Sequence, residues 1–202
     1  MDGKEIMESK EFKQCVDFHG HICPGLAIGF QAVKACMAEL EAGRAEDEEL
    51  VAVVETDACS ADAVQVMTGC TFGKGNFFYR DYGKMALTLL SRKTGKGVRA
   101  CQVPQARTPN DEHQTLMDKV RAGTATEEEE NRFRELHMER CGEILETPVK
   151  ELFTVKPAEM EMPGKAKIEP SELCSRCGEA AMGSKLETVG DEKICRGCLA
   201  TQ

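Results

Sequence analysis

The chain has 202 residues, of which 41% are hydrophobic, 30% charged and 5% aromatic, with a formal net charge of −9. That length allows one medium domain and a small satellite, and the acidic balance speaks against a nucleic-acid partner. Met1 to Phe18 carries charges and no apolar h-region, and no later run approaches the ~20 apolar residues of a membrane span, so a soluble, cytoplasmic protein with no membrane partner is expected.

Lys4 to Val16 is expected to form a short helix with Phe12, Cys15 and Val16 inward. The turn His19-Gly20-His21-Ile22-Cys23-Pro24-Gly25 follows. Pro24 suits the first position of a second helix, and Leu26, Phe30, Val33, Met37 and Leu40 recur at helical spacing up to Gly43. Cys23 is then the N-cap, where backbone N–H groups and the helix dipole favour a thiolate over a thiol. Leu50 to Val54 reads as a buried strand. A helix capped by Ser60 and stopped by Gly69 is expected next, with Ala63, Val64 and Met67 inward. Cys59 thus falls at a strand-to-helix junction, and Cys70 falls beside the glycine-rich turn Thr71 to Gly75.

Met85 to Leu90 and Gly97 to Val103, joined through Thr94-Gly95-Lys96-Gly97, predict a β-hairpin. Asn110 to Thr147 reads as helical, broken near Gly123, with Thr126 and Glu129 forming a capping box. Residues 110 to 147 hold eleven acidic and five basic side chains, which makes either a solvated helix face or an acidic docking patch. Leu152, Phe153 and Val155 add an edge strand. Lys156 to Glu169 has two prolines, a glycine and no period, and reads as a linker. The expected organisation is an α+β core over residues 1–155, with a mixed or antiparallel sheet and flanking helices, a linker over 156–170 and a small zinc finger over 171–202.

The chain has eleven cysteines, and an odd number fits a reducing compartment with free or metal-bound thiols. Cys174, Cys177, Cys195 and Cys198 form two Cys-x-x-Cys pairs 17 residues apart. Zinc takes four thiolates as a tetrahedron, and a hairpin through Val189-Gly190-Asp191 would return the second pair to the first. Four sulfurs leave no open coordination position, so this zinc is structural. From Ser171 onward the module has four basic and five acidic residues and no aromatic residue, which points to protein contact rather than DNA.

A second cluster lies in the core. His19, His21 and Cys23 put three metal-capable side chains on one turn, a set suited to zinc, nickel, copper or iron. Cys59 and Cys70 join them only if the fold brings a strand end and the glycine-rich turn to the same place. Cys15, Cys36, Cys101 and Cys141 read as small buried hydrophobes. The segment Thr71-Phe72-Gly73-Lys74-Gly75 lacks the full Walker pattern, which leaves Lys74 as either an anchor for an anionic ligand or a solvated lysine.

The blocks Phe18 to Leu26, Glu55-Thr56-Asp57-Ala58-Cys59-Ser60-Ala61-Asp62-Ala63-Val64-Gln65, and Thr68 to Asn76 followed by Asp81-Tyr82-Gly83-Lys84, resemble the signature blocks of the FmdE family, which takes its name from a component of formylmethanofuran dehydrogenase. The resemblance spans roughly residues 12 to 105, and the C-terminal module is similar to an extra domain of some members. It implies an α+β core that forms homodimers, a cysteine and histidine site in a cleft, and an appended treble-clef-like finger. Carried over position by position, the site candidates are His19, His21, Cys23, Cys59, Cys70 and Lys74. In the complex that names the family, the molybdenum or tungsten pterin chemistry belongs to other subunits.

Three functions follow as expectations. The first is a metal-binding accessory protein of a molybdenum or tungsten one-carbon enzyme system, with zinc in the finger, a second transition metal or a small-molecule ligand in the core, and subunits of that system as partners. The second is an enzyme with Cys59 or Cys23 as thiolate and a histidine as base. The third is a zinc-finger regulator, which the acidic balance disfavours.

Overall fold

The computed structural model describes residues 2–104 and 111–201. They divide into two compact units, 1–165 and 166–202. No helix among the described residues is long and apolar enough to cross a membrane.

The first unit is α+β, built on a five-stranded mixed sheet. Its strands are β1 (Leu50–Val54), β2 (Phe77–Tyr79), β3 (Ala86–Ser91), β4 (Gly97–Gln102) and β5 (Phe153–Pro157), in the order β2-β1-β3-β4-β5. Only β1 and β2 are parallel, and the remaining pairings are antiparallel. The β3–β4 hairpin follows the sequence expectation. Strand β2 has only three residues and carries no alternation that would announce it. Strand β5 runs through Lys156 and Pro157, two residues into the expected linker, because they pair with Arg99 and Val98.

Leu50, Ala52, Val54, Leu87, Leu89, Val98 and Ala100 alternate onto one face and build the core with the helices. The helices are α1 (Gly3–Met7), α2 (Lys10–His19), α3 (Pro24–Glu39), α4 (Ser60–Thr68), α5 (Asp111–Arg121), α6 (Glu127–Glu146) and α7 (Val149–Leu152). The single helix expected over Lys4 to Val16 is two, because Ser9 interrupts it: its hydroxyl donates to Ile6 O at 2.6 Å and accepts from Phe12 N at 3.3 Å. Asn110, where the next helical region was expected to begin, lies outside the described residues; the capping box of Thr126 and Glu129 opens α6 as expected.

Helix α3 is the centre of the unit and is buried over most of its circumference. It ends at Glu39, with Leu40 as C-cap, short of Gly43. It crosses α4 so closely that a Cβ on Gly29 would stand 2.5 Å from Ser60 O and 2.6 Å from Ser60 Cα. On its other side, buried Gln31 donates to Ile144 O at 3.1 Å and Leu145 O at 2.8 Å, which satisfies carbonyls that the end of α6 leaves open. The chain after β5 turns back over the opposite sheet face. Ala158 N bonds Gly97 O at 2.8 Å, and Arg92 holds the carbonyls of Pro163 at 2.7 Å and Gly164 at 3.0 Å.

The second unit pairs β6 (Ser171–Leu173) with β7 (Ala180–Met182) and β8 (Leu186–Val189) with β9 (Glu192–Cys195), and closes with the short helix α8 (Arg196–Ala200).

Candidate metal centres

In the second unit each strand pair delivers two sulfurs. Cys174 follows β6, and Cys195 ends β9 as the N-cap of α8, with Cys198 in that helix's first turn. The four sulfurs lie within 4.8 Å of one another. Cys174 and Cys198 are 4.0 Å apart, and Cys177 and Cys195 3.9 Å. Neighbouring ligands on a tetrahedral ion with Zn–S bonds of about 2.3 Å stand about 3.8 Å apart, so the cage fits such an ion. Backbone donors complete it, Cys195 N to Cys174 Sγ at 3.3 Å and Cys198 N to Cys195 Sγ at 3.4 Å. Donors from Cys177 and Cys195 hold the Cys174 thiol down at about 6. The cluster fits a zinc finger.

In the first unit the HGHICPG turn is shaped by its two ends. Gly20 closes α2 with φ of 90°, a conformation that costs glycine least, and Pro24 opens α3. Between them His19, His21 and Cys23 bring their ligand atoms within 4.8 Å of one another. The rings of His19 and His21 have centroids 4.4 Å apart. His19 Nδ1 meets Asp62 Oδ2 at 2.7 Å, and His19 Nε2 faces Cys23 Sγ at 3.6 Å. Asp62 comes from the first turn of α4 and accepts the Nδ1 proton, so the lone pair of His19 lies on Nε2, toward the sulfur. This is the arrangement by which a carboxylate orients an imidazole ligand. Two imidazoles and a sulfur suit a borderline transition ion.

Cys23 is the N-cap of α3, with its sulfur accepting from Leu26 N at 3.3 Å. The expected preference for a thiolate is nevertheless reversed. Burial pushes the thiol up to about 11, because Cys23 is only 5% exposed and one N–H donor offsets little of the desolvation. An ion would have to displace that proton.

Cys59 adjoins this group and Cys70 does not. A Cβ on Gly25 would lie 3.1 Å from Cys59 Cβ, 3.6 Å from Cys59 Sγ and 3.8 Å from Cys23 Sγ, so the missing side chain leaves room for the two sulfurs to approach. Cys59, not Ser60, is the N-cap of α4, and it makes no side-chain capping bond. Cys70 follows the opposite end of that nine-residue helix, roughly 13 Å away at 1.5 Å per residue. It is fully buried, which raises its thiol pKa. Within one copy of the chain, Cys70 therefore stands apart from His19 and His21. Lys74 is at that far end too, with Nζ on the carbonyls of Glu46 and Asp47 at 3.2 Å each. Buried Asn76 ties the same glycine-rich turn to Leu50 O at 3.0 Å, so this turn braces the start of β1.

The sequence reading missed three neighbours. Asp62 is one, and its signal was the position three residues after Cys59. The others are His137 and Cys141 on α6, spaced i and i+4 and so on one helix face. His137 lies close enough to His21, and Cys141 to Cys23, for their charges to repel. His137 Nδ1 faces His113 Nε2 of α5 at 2.9 Å. Burial lowers both of these imidazoles, with Arg140 adding to the effect at His113 and His113 at His137.

Residues 18–154 match the family model described as FmdE, Molybdenum formylmethanofuran dehydrogenase operon. The chain belongs to the FmdE family. It is 35% identical over 191 residues to a "Probable S-adenosyl-L-methionine-binding protein" of Archaeoglobus fulgidus, covering 90% of this FmdE chain and 50% of the relative. The chain thus spans about half the length of that curated relative. A solved structure, that of an FmdE-like protein of tungsten formylmethanofuran dehydrogenase from Syntrophus aciditrophicus, superposes with a TM-score of 0.62 at 24% identity, over 99% of this chain and 93% of the other. At that identity the likeness speaks to the fold, and it extends over the length that contains both units.

Proposed function

We propose that this FmdE protein is a cytoplasmic metal-binding accessory protein of a molybdenum or tungsten one-carbon enzyme system, acting as a homodimer. Zinc sits in the finger, and a transition metal, or a small ligand carried by it, sits in the core. The observation that carries this reading is the trio His19, His21 and Cys23, with ligand atoms within 4.8 Å and with His19 oriented by Asp62 at 2.7 Å. In this reading Cys59 is the adjoining donor, and His19, His21 and Cys23 are the first to hold the ion. The bound ion would supply Lewis acidity or a coordination position for a ligand. A free thiolate nucleophile at Cys23 has less support, since burial keeps its proton on.

Metal analysis of the anaerobically purified full chain tests the reading. Wild type should carry more than the finger's single ion, and the double variant His19→Ala/Cys23→Ser should lose the excess. Wild type with one ion only would overturn it.

A further inference from the structure

All four histidines of the chain meet at one end of the core domain. His19 and His21 face each other in the turn before α3, with centroids 4.4 Å apart. Against that turn, α6 places His137 beside His21 and Cys141 beside Cys23, and Ile22 and Met138 line one common groove. Helix α5 adds His113, whose Nε2 lies 2.9 Å from His137 Nδ1. Phe133, one turn before His137, stacks on His113 at 5.3 Å and an interplanar angle of 6°, and fixes the two rings relative to each other.

We propose that His113 and His137 form a separate divalent-metal position on the α5–α6 hairpin, beside the His19–His21–Cys23 group and with His21 at its rim. Two neutral imidazoles whose nitrogens point at each other share one proton, and a metal ion replaces that proton by using both lone pairs. A separation of 2.9 Å is what two ligands at a right angle require when the metal–nitrogen bonds are about 2.0–2.1 Å. A tetrahedral ion would need about 3.3 Å with the same bonds. The pair is therefore matched to ions that accept right-angle imidazole ligands, such as nickel or copper, and differs in that respect from the four-sulfur finger. Arg140, whose charge reaches His113, is countered by Glu143 at 2.7 Å. Each ion bound releases the shared proton, and water fills the remaining coordination positions.

The test is a calorimetric titration of the full, zinc-saturated chain with nickel chloride in buffers of different ionisation enthalpy. One nickel per chain should bind with release of one proton. His113→Gln and His137→Gln, made separately and checked by circular dichroism, should each weaken nickel binding about tenfold or more while the zinc content stays at the wild-type value. The absence of nickel uptake, or uptake by both variants with wild-type affinity, would overturn the proposal. The metal content of His19→Ala/Cys23→Ser reads the core trio and nickel uptake reads the hairpin, so either reading can fail without the other.

Discussion

Asp62 decides which nitrogen of His19 faces Cys23. With the 2.7 Å bond in place, Nδ1 is committed to the carboxylate and Nε2 is left for an ion. Replacing Asp62 by Asn keeps the volume and removes the charge, and should cost about 10- to 100-fold in core-metal affinity, read by competition with a coloured chelator. The same substitution should leave the finger's affinity unchanged. His19, His21 and Cys23 were legible in the sequence because they lie on one turn. Whether Cys59 or Cys70 would join them was not, since the two cysteines flank a single helix and only the packing of α4 against α3 decides which end meets the turn. Gly25 belongs to the same calculation. In Gly25→Ala the new methyl, 3.1 Å from Cys59 Cβ, should move Cys59 away from Cys23 and alter the visible spectrum of a cobalt-loaded core more than it alters the melting temperature.

At the level of elements, the Gln31 amide joins α3 to the end of α6. Gln31→Leu would leave buried carbonyls without a donor and should cost about 1–3 kcal/mol, measured as a fall in the urea midpoint at constant slope. The α5–α6 hairpin carries a pH dependence of defined sign. Both of its histidines have folded values below the unfolded reference of ~6.5, so the folded state prefers them neutral. Their contribution is complete above that reference and is lost as the pH falls through the folded values. In metal-free protein the urea midpoint should therefore drop between pH 7.5 and 5.5 by more in wild type than in His113→Gln/His137→Gln. Long or punctuated elements were readable from sequence, as α6 with its capping box and α3 with Pro24 at its start show. Strand β2, three residues long, was not readable, because parallel pairing with β1 makes Phe77–Tyr79 extended and no local pattern does so.

For the whole molecule, the two units should respond differently to loss of metal. The finger has few buried side chains, Cys174 and Ile194 among them, whereas the first unit has a continuous apolar core. A strong chelator should unfold the finger and leave the core's cooperative transition in place, which amide resonances would report unit by unit. The proposed pairing of two copies finds support in Phe18, Tyr79 and Tyr82, large side chains that remain exposed by 59%, 45% and 57%. Sedimentation should give twice the chain mass, and Phe18→Glu should shift it toward one.

The boundary between the units has a practical consequence for handling the protein. Composition places a linker from residue 156, but Arg92 grips the carbonyls of Pro163 and Gly164 and keeps the stretch before them fastened to the sheet. A protease needs a free, extended backbone to enter its cleft. Lys156 is locked in a strand, and trypsin should therefore spare it and nick first at Lys165 or Lys167, so that the larger fragment retains the whole strap when the finger is trimmed off.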